Sequence, residues 1–177
     1  AGIGANVHME GGNILITAEG GLRGKEVSMH GKFGSTVLGT DNLMMAAVLA
    51  EGLTVIDGAA AEPEVVDLAN FLIKMGAKIK GAGTTRIEIE GVKELHGAEH
   101  EVIPDRIEAA TFALAAAATD GEITIKGARA DHLTAVLDKM RAAGVSITRR
   151  GNDMVVKRNG RLRPVDITTL PYSGFPT

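Results

Sequence analysis

Three short stretches of this chain combine residue types that could do chemistry. The first is "GKFGSTVLGTDN", residues 31–42, where glycines, hydroxyls and one lysine run into a helix. Backbone N–H groups at a helix start, with Ser35 and Thr36 beside them, suit a phosphate. The same text also reads as a plain capped helix start, with Thr36 or Ser35 as N-cap. The second is "AAAEPEVVD", residues 59–67. Its Glu62-Pro63-Glu64 is unusual, yet fits a helix start with proline at N1 and acids in the first turn. The third is "IPDRIE", residues 103–108, which sets Asp105 and Arg106 at the mouth of an alanine-rich helix. Asp105 fits an N-cap, and Arg106 is either a surface side chain or one held firmly at the opening of a buried helix.

Other chemistry is absent from the text. There is no GxxxxGK[ST], GxGxxG, HExxH, GxSxG or EF-hand loop. His96 and His100 flank Gly97 in a linker and read as solvated histidines rather than a metal pair. Lys78 and Lys80 alternate along a strand and read as a solvated face. The chain has no cysteine, so it holds no disulfide framework and no thiolate nucleophile. Its net charge of −3 gives no basic footprint for nucleic acid. No window reaches the roughly 18 apolar residues of a membrane span. With 45% hydrophobic and 23% charged residues among 177, the chain reads as globular. Aromatics make up only 3%, so Ala, Val, Ile, Leu and Met must fill the core.

The elements that position these residues come twice. Residues 36–59 align with 105–128 at an offset of 69, so Gly52 falls on Gly121 and Gly58 on Gly127. After one gap, Gly76 falls on Gly144 and Ile79 on Ile147. Each copy predicts the order βαβαββ. The strands are "KEVSMHG", "LTVIDG", "AKIKG" and "TRIEIEG" in copy one, and "HEVIP", "EITIKG", "VSITRR" and "DMVVKR" in copy two. The first helix of each copy is alanine-rich and stops at Glu51-Gly52 or Asp120-Gly121, where glycine suits a left-handed cap. The second is amphipathic, with Val65, Leu68, Leu72 and Met75 on one stripe and Leu133, Val136, Leu137 and Met140 on the other. A further hairpin, "NVHME-GG-NILITAEG", precedes copy one, and 92–100 links the copies. A helix apolar on every face needs neighbours all round, and one copy of about 70 residues supplies too few. The first helices at about 38–50 and 104–118 therefore ask for more repeats than these residues hold. Beginning at Ala1 and ending in "LPYSGFPT", the chain reads as a piece of a longer protein.

The run from "TVLGTDNLMMAAVLAEG" through "EPE", "MGAKIKGAGT" and "PDRIEAATFALAAAATDG" to "LPYSGFPT" closely resembles the UDP-N-acetylglucosamine 1-carboxyvinyltransferases. These are the enolpyruvyl transferases that begin peptidoglycan precursor synthesis, and the likeness covers essentially the whole chain. It implies an α/β (α+β) fold of repeated βαβαββ units, an inside-out α/β barrel with helices within and sheets without. Two units would be present: residues 1–98 as the last repeat of one domain with its preceding hairpin, and 99–177 as the first complete repeat of the next. The implied activity moves the enolpyruvyl group of phosphoenolpyruvate to the 3′-hydroxyl of UDP-N-acetylglucosamine, in the cytoplasm. No metal and no organic cofactor are implied, and no nucleic acid or membrane partner.

The resemblance also distributes roles. It places no catalytic residue inside the chain: the acid loop would lie before Ala1 and the catalytic aspartate directly after Thr177. The nucleotide side would be carried by Gly34, Ser35, Thr36 and Val37, with Lys32 beside them although "KFGST" carries extra residues there. Glu62, Asp105 and Arg106 match cleft positions, and Leu170 and Thr177 match the sugar and uracil side. Two other readings stand beside this one. One is the sister transferase acting on shikimate 3-phosphate, against which the EPE, PDRIE and GFPT text argues. The other is a non-catalytic module that binds a nucleotide or a partner.

Overall fold

The computed structural model describes residues 2–32 and 34–176. The chain divides into two units, with the boundary between Glu101 and Val102.

In the first unit a hairpin comes first, β1 (Asn6–Glu10) with β2 (Asn13–Thr17), closed by Gly11-Gly12. There follow β3 (Glu26–Ser28), α1 (Val37–Ala47), β4 (Leu53–Asp57), α2 (Pro63–Lys74), β5 (Lys78–Lys80) and β6 (Arg86–Glu90). The sheet order is β3-β4-β6-β5, with β3 parallel to β4 and the other pairings antiparallel. Alternation along "RIEIE" turns Ile87 and Ile89 inward, both fully buried, and leaves the charges out. They meet Met44 and Val48 of the α1 end, Ile56 of β4, and Val65, Ala69 and Leu72 of α2 in one core. Lys78 holds Glu90 across the outer edge at 2.7 Å, an exposed pair as the alternating lysines suggest.

The second unit holds α3 (Arg106–Ala118), β7 (Glu122–Ile125), a 3-10 turn (Ala130–Leu133), α4 (Thr134–Ala142), β8 (Val145–Arg150) and β9 (Asp153–Arg158). Its sheet order is β7-β9-β8, all antiparallel. This is the β4-β6-β5 arrangement again, and α3 begins 69 residues after α1. The core is Met154 and Val156 against Leu133, Val136, Leu137, Met140 and the alanines of α3.

Two expectations need correction. "HEVIP" forms no strand: the order of the second unit is αβαββ among the described residues. The first residue of "HEVIP" and the one before it are drawn to α2 instead, where Asp67 takes His100 at 3.0 Å and Lys74 reaches the Glu99 carbonyl. Pro104 then removes a donor and restricts Ile103, so a ladder there would be incomplete. The left-handed residue after α3 is Asp120 (φ 57°), not Gly121. Gly121 N–H reaches back to the Ala116 carbonyl at 2.8 Å, a Schellman closure, and Arg158 holds the Asp120 carboxylate at 3.4 Å.

The first helices are amphiphilic in size rather than polarity. α3 turns Ala109, Ala110, Ala113, Ala116 and Ala117 to its own sheet, where small side chains allow close approach. Its large residues, Ile107, Phe112 and Leu114, stay exposed, and so do Leu38, Met45 and Leu49 of α1 and the segment after it. Met44 is buried, but the opposite faces of both helices are bare.

Candidate functional site

The first cluster sits where α1 begins. Gly31 and Gly34 bond reciprocally, N–H to carbonyl, at 3.1 and 3.2 Å, closing a small loop that carries the exposed Lys32. Ser35 follows, half-buried. Thr36 is the N-cap: its backbone is extended (φ −110°, ψ 122°) and its hydroxyl accepts from Gly39 N–H at 3.2 Å. Between Ser35 and Thr36, the choice thus falls on Thr36. Val37 packs half-buried against the core. One turn deeper, the fully buried Thr40 donates its hydroxyl to the Thr36 carbonyl at 2.8 Å and accepts from Ala60 N–H at 3.0 Å. The start of α1 is thereby tied to the loop that leads into α2.

That loop ends in Glu62, the residue before Pro63. It occupies the N-cap position of α2, yet its side chain makes no cap bond. It is 8% exposed, and its Oε2 has no hydrogen-bond partner. Asp41, next to Thr40, also keeps a buried oxygen, Oδ1, without a partner. Burial, and then the nearby carboxylates of Glu64 and Glu62, push the Asp41 carboxyl above its ordinary value of 3.8. An acid raised in this way adds stability that is complete below the unfolded value and is lost as pH rises through the folded one. Asp41→Asn removes the charge, and its amide can donate toward a carboxylate. The expected result is a gain at pH 7 of about 0.5 kcal/mol, allowing for solvent screening, and none near pH 3. Urea unfolding at the two pH values checks it; an equal change at both would separate the effect from ionisation.

The second cluster opens α3. Asp105 takes the position that Thr36 holds in copy one, and its Oδ1 accepts from Ile107 N–H at 2.8 Å and Glu108 N–H at 3.0 Å. Arg106 stacks over Tyr172, 5.3 Å from guanidinium carbon to ring centre. Beside them Arg129 grips Asp131 with two bonds of 3.0 and 2.6 Å, and this guanidinium pulls the Asp131 carboxyl down to about 2. A shallow pocket is lined by Arg106, Asp131, His132, Tyr172 and Gly174. The chain returns there through a tight turn, in which Leu170 N–H meets the Phe175 carbonyl at 3.0 Å. The Leu170 side chain is exposed. Thr177 lies outside the described residues.

So Gly34, Ser35, Thr36, Val37 and Glu62 gather in the first unit, and Asp105, Arg106 and the Leu170 turn in the second. Thr40, Asp41 and Tyr172 were not singled out from the sequence. Thr40 and Asp41 had a signal in the text, a hydroxyl four residues after the cap followed by an acid. His100 is not a solvated histidine either: it is 10% exposed and packs on the Phe71 ring at 5.3 Å. Among the described residues no group of three His, Cys, Asp or Glu could hold a metal ion, and no helix is long and apolar enough to cross a membrane.

A family model described as EPSP synthase (3-phosphoshikimate 1-carboxyvinyltransferase) matches residues 1–177. The chain belongs to the EPSP synthase family. Within this family it is 54% identical to a UDP-N-acetylglucosamine 1-carboxyvinyltransferase of Akkermansia muciniphila, over 99% of this chain and 42% of that protein. A protein of the same name from Methylacidiphilum infernorum is 53% identical, over 99% of this chain and 41% of its own length. The chain thus spans about two fifths of the length of these curated relatives. Among solved structures, the enolpyruvyl transferase NikO from Streptomyces tendae matches with a TM-score of 0.85 at 21% identity, over 98% of this chain and 44% of that one. An EPSP synthase from Acinetobacter baumannii matches at TM-score 0.60 and 21% identity, over 96% and 39%. These two structures speak for the EPSP synthase family fold.

Proposed function

We propose that residues 1–177 form part of a UDP-N-acetylglucosamine 1-carboxyvinyltransferase. The full protein would transfer the enolpyruvyl group of phosphoenolpyruvate to the 3′-hydroxyl of UDP-N-acetylglucosamine, opening peptidoglycan precursor synthesis in the cytoplasm. The observation that carries this reading is the 54% identity, over 99% of this chain, to a relative of that name. The two units would be the last repeat of one domain and the first complete repeat of the other. The bare faces of α1 and α3 would then lie against further repeats.

The reaction adds the sugar hydroxyl oxygen to C2 of phosphoenolpyruvate as that hydroxyl gives up its proton to a base and the methylene carbon gains one; phosphate then leaves C2 as the new methyl group loses a proton, which gives the enol ether. The residues here would serve the nucleotide side. The turn 34–37 would hold the diphosphate at the N-terminus of α1, where the helix dipole and outward N–H groups favour an anion. Lys32 would add charge from the adjoining loop. Glu62 and Asp41 work against a phosphate at close range, so their role would be toward donors: sugar hydroxyls or a cationic side chain. Asp105 and Arg106, with Leu170 and Thr177, would line the acceptor side of the second unit.

The alternative within the family uses shikimate 3-phosphate, and the matching family description carries that name. Phosphate release from phosphoenolpyruvate separates the two. A protein of the relatives' length carrying these residues is expected to turn over with UDP-N-acetylglucosamine and not with shikimate 3-phosphate, whereas residues 1–177 alone are expected to release none. Thr36→Ala should weaken the sugar nucleotide by about 1–3 kcal/mol, the cost of one hydrogen bond that the bound nucleotide would bury. Turnover with shikimate 3-phosphate instead would overturn the reading, and binding of UDP without any turnover would favour the non-catalytic module.

A further inference from the structure

Thr40 makes two bonds of different kinds. Its hydroxyl proton goes to the Thr36 carbonyl at 2.8 Å, one turn back on α1. Its oxygen accepts the Ala60 N–H at 3.0 Å, across a sequence distance of 20 residues. The side chain is fully buried, so water cannot replace either bond. The Thr36 carbonyl also accepts from the Thr40 backbone N–H at 3.0 Å. The helix therefore keeps its own bond without the hydroxyl. What only the hydroxyl supplies is the tie from the cap residue to the loop carrying Glu62, two residues after Ala60.

We infer that Thr40 is a positioning residue, which fixes the 34–37 turn against the Ala60–Glu62 loop so that a nucleoside diphosphate meets both in one geometry. The inference rests on the nucleotide reading of that turn. Thr40 itself is buried beneath the turn and acts through Thr36 and Ala60. A purely structural Thr40 would lower the fraction of folded protein and hence kcat, leaving KM alone. A positioning Thr40 raises KM for the sugar nucleotide and leaves KM for phosphoenolpyruvate where it was.

The test uses a protein of the relatives' full length carrying these residues. Thr40→Val keeps the shape and removes both hydroxyl bonds. Its expected effect is about a tenfold rise in KM for UDP-N-acetylglucosamine. Thr40→Ser, which keeps the hydroxyl, should restore KM to within about twofold. Unchanged KM in Thr40→Val, or a Thr40→Ser as poor as Thr40→Val, would overturn the inference. Thr36→Ala serves as the control: if it too leaves KM unchanged, the nucleotide reading of the turn has failed rather than the tie. A second readout needs no folded variant. Saturation of the unsubstituted protein with UDP should slow hydrogen exchange at the Ala60 amide, and unchanged exchange there would overturn the coupling.

Discussion

Gly91→Ala is expected to destabilise the first unit by about 3 kcal/mol, the upper end of the usual cost of overpacking. A methyl group on this residue would stand 1.6 Å from the Ala50 carbonyl oxygen and 2.8 Å from its carbon. Both are backbone atoms, so no rotamer change relieves the contact. The approach is fixed from both sides. Gly91 N–H meets the Gly52 carbonyl at 2.9 Å, and Val92 N–H meets the Val48 carbonyl at 2.8 Å. The end of β6 is thus bound to the segment that follows α1, and the substitution must part them or bend β4. For a unit of this size, about 3 kcal/mol lowers the melting temperature by more than roughly 10 °C. Thermal unfolding by circular dichroism reads it. Gly97→Ala is the control, since nothing lies within 4 Å of a methyl there, and it should change stability by less than about 0.5 kcal/mol. A Gly91→Ala protein melting within a few degrees of its parent would show that the close approach relaxes without cost.

The contact at Gly91 belongs to the part of the fold that sequence does not reveal. The repeat itself was legible, because it rests on local patterns: apolar residues at period 2 in β6 and β9, at 3 and 4 in α2 and α4, and capping residues at Thr36 and Asp105. Those caps stand 69 residues apart in the text, and the helices begin there. Features settled by distant partners were not legible. "HEVIP" has the composition of a strand, but a strand needs a neighbour, and the first residue of this segment, His100, is already bound to α2. Asp120 rather than Gly121 takes the left-handed position because the Ala116 carbonyl is reached from Gly121 and Arg158 lies opposite. The same holds for the candidate site. Thr36 could be found as a cap from its neighbours. The importance of Thr40 depends on Ala60, and the upward push on the Asp41 carboxyl depends on its burial and then on Glu64 and Glu62, which chain order leaves about 20 residues away. The alanine-rich text of α3 forecast an apolar helix, but not that its alanines would face its sheet while Phe112 and Leu114 faced outward.

His100→Ala should detach the last residues of the first unit from α2. The linker is laced along one face of that helix. Asp67 Oδ1 meets His100 Nε2 at 3.0 Å, the Phe71 ring lies 5.3 Å from the imidazole, Lys74 Nζ reaches the Glu99 carbonyl at 3.4 Å, and the Met75 carbonyl accepts His96 N–H at 2.9 Å. Residues 67, 71, 74 and 75 share a helical face, so the contacts act as one strip. The anchor is the Asp67–His100 pair, with side chains 13% and 10% exposed. Removing the imidazole leaves the largely buried Asp67 carboxylate beside a hole. A buried acceptor deprived of its partner costs about 1–3 kcal/mol, and a lost ring adds packing, so a destabilisation of about 3 kcal/mol is expected. Asp67→Asn keeps an acceptor at the same place and should cost about 1 kcal/mol. The effect has a location as well as a size. Amide exchange of residues 95–101 should quicken in His100→Ala, with that of Ile87 and Ile89 in β6 changing only as global stability does. Exchange that quickens equally everywhere would mean that the pair stabilises the unit as a whole and does not fasten the linker. A His100→Ala protein as stable as its parent, with unchanged exchange at His96, would mean that the strip holds without its anchor.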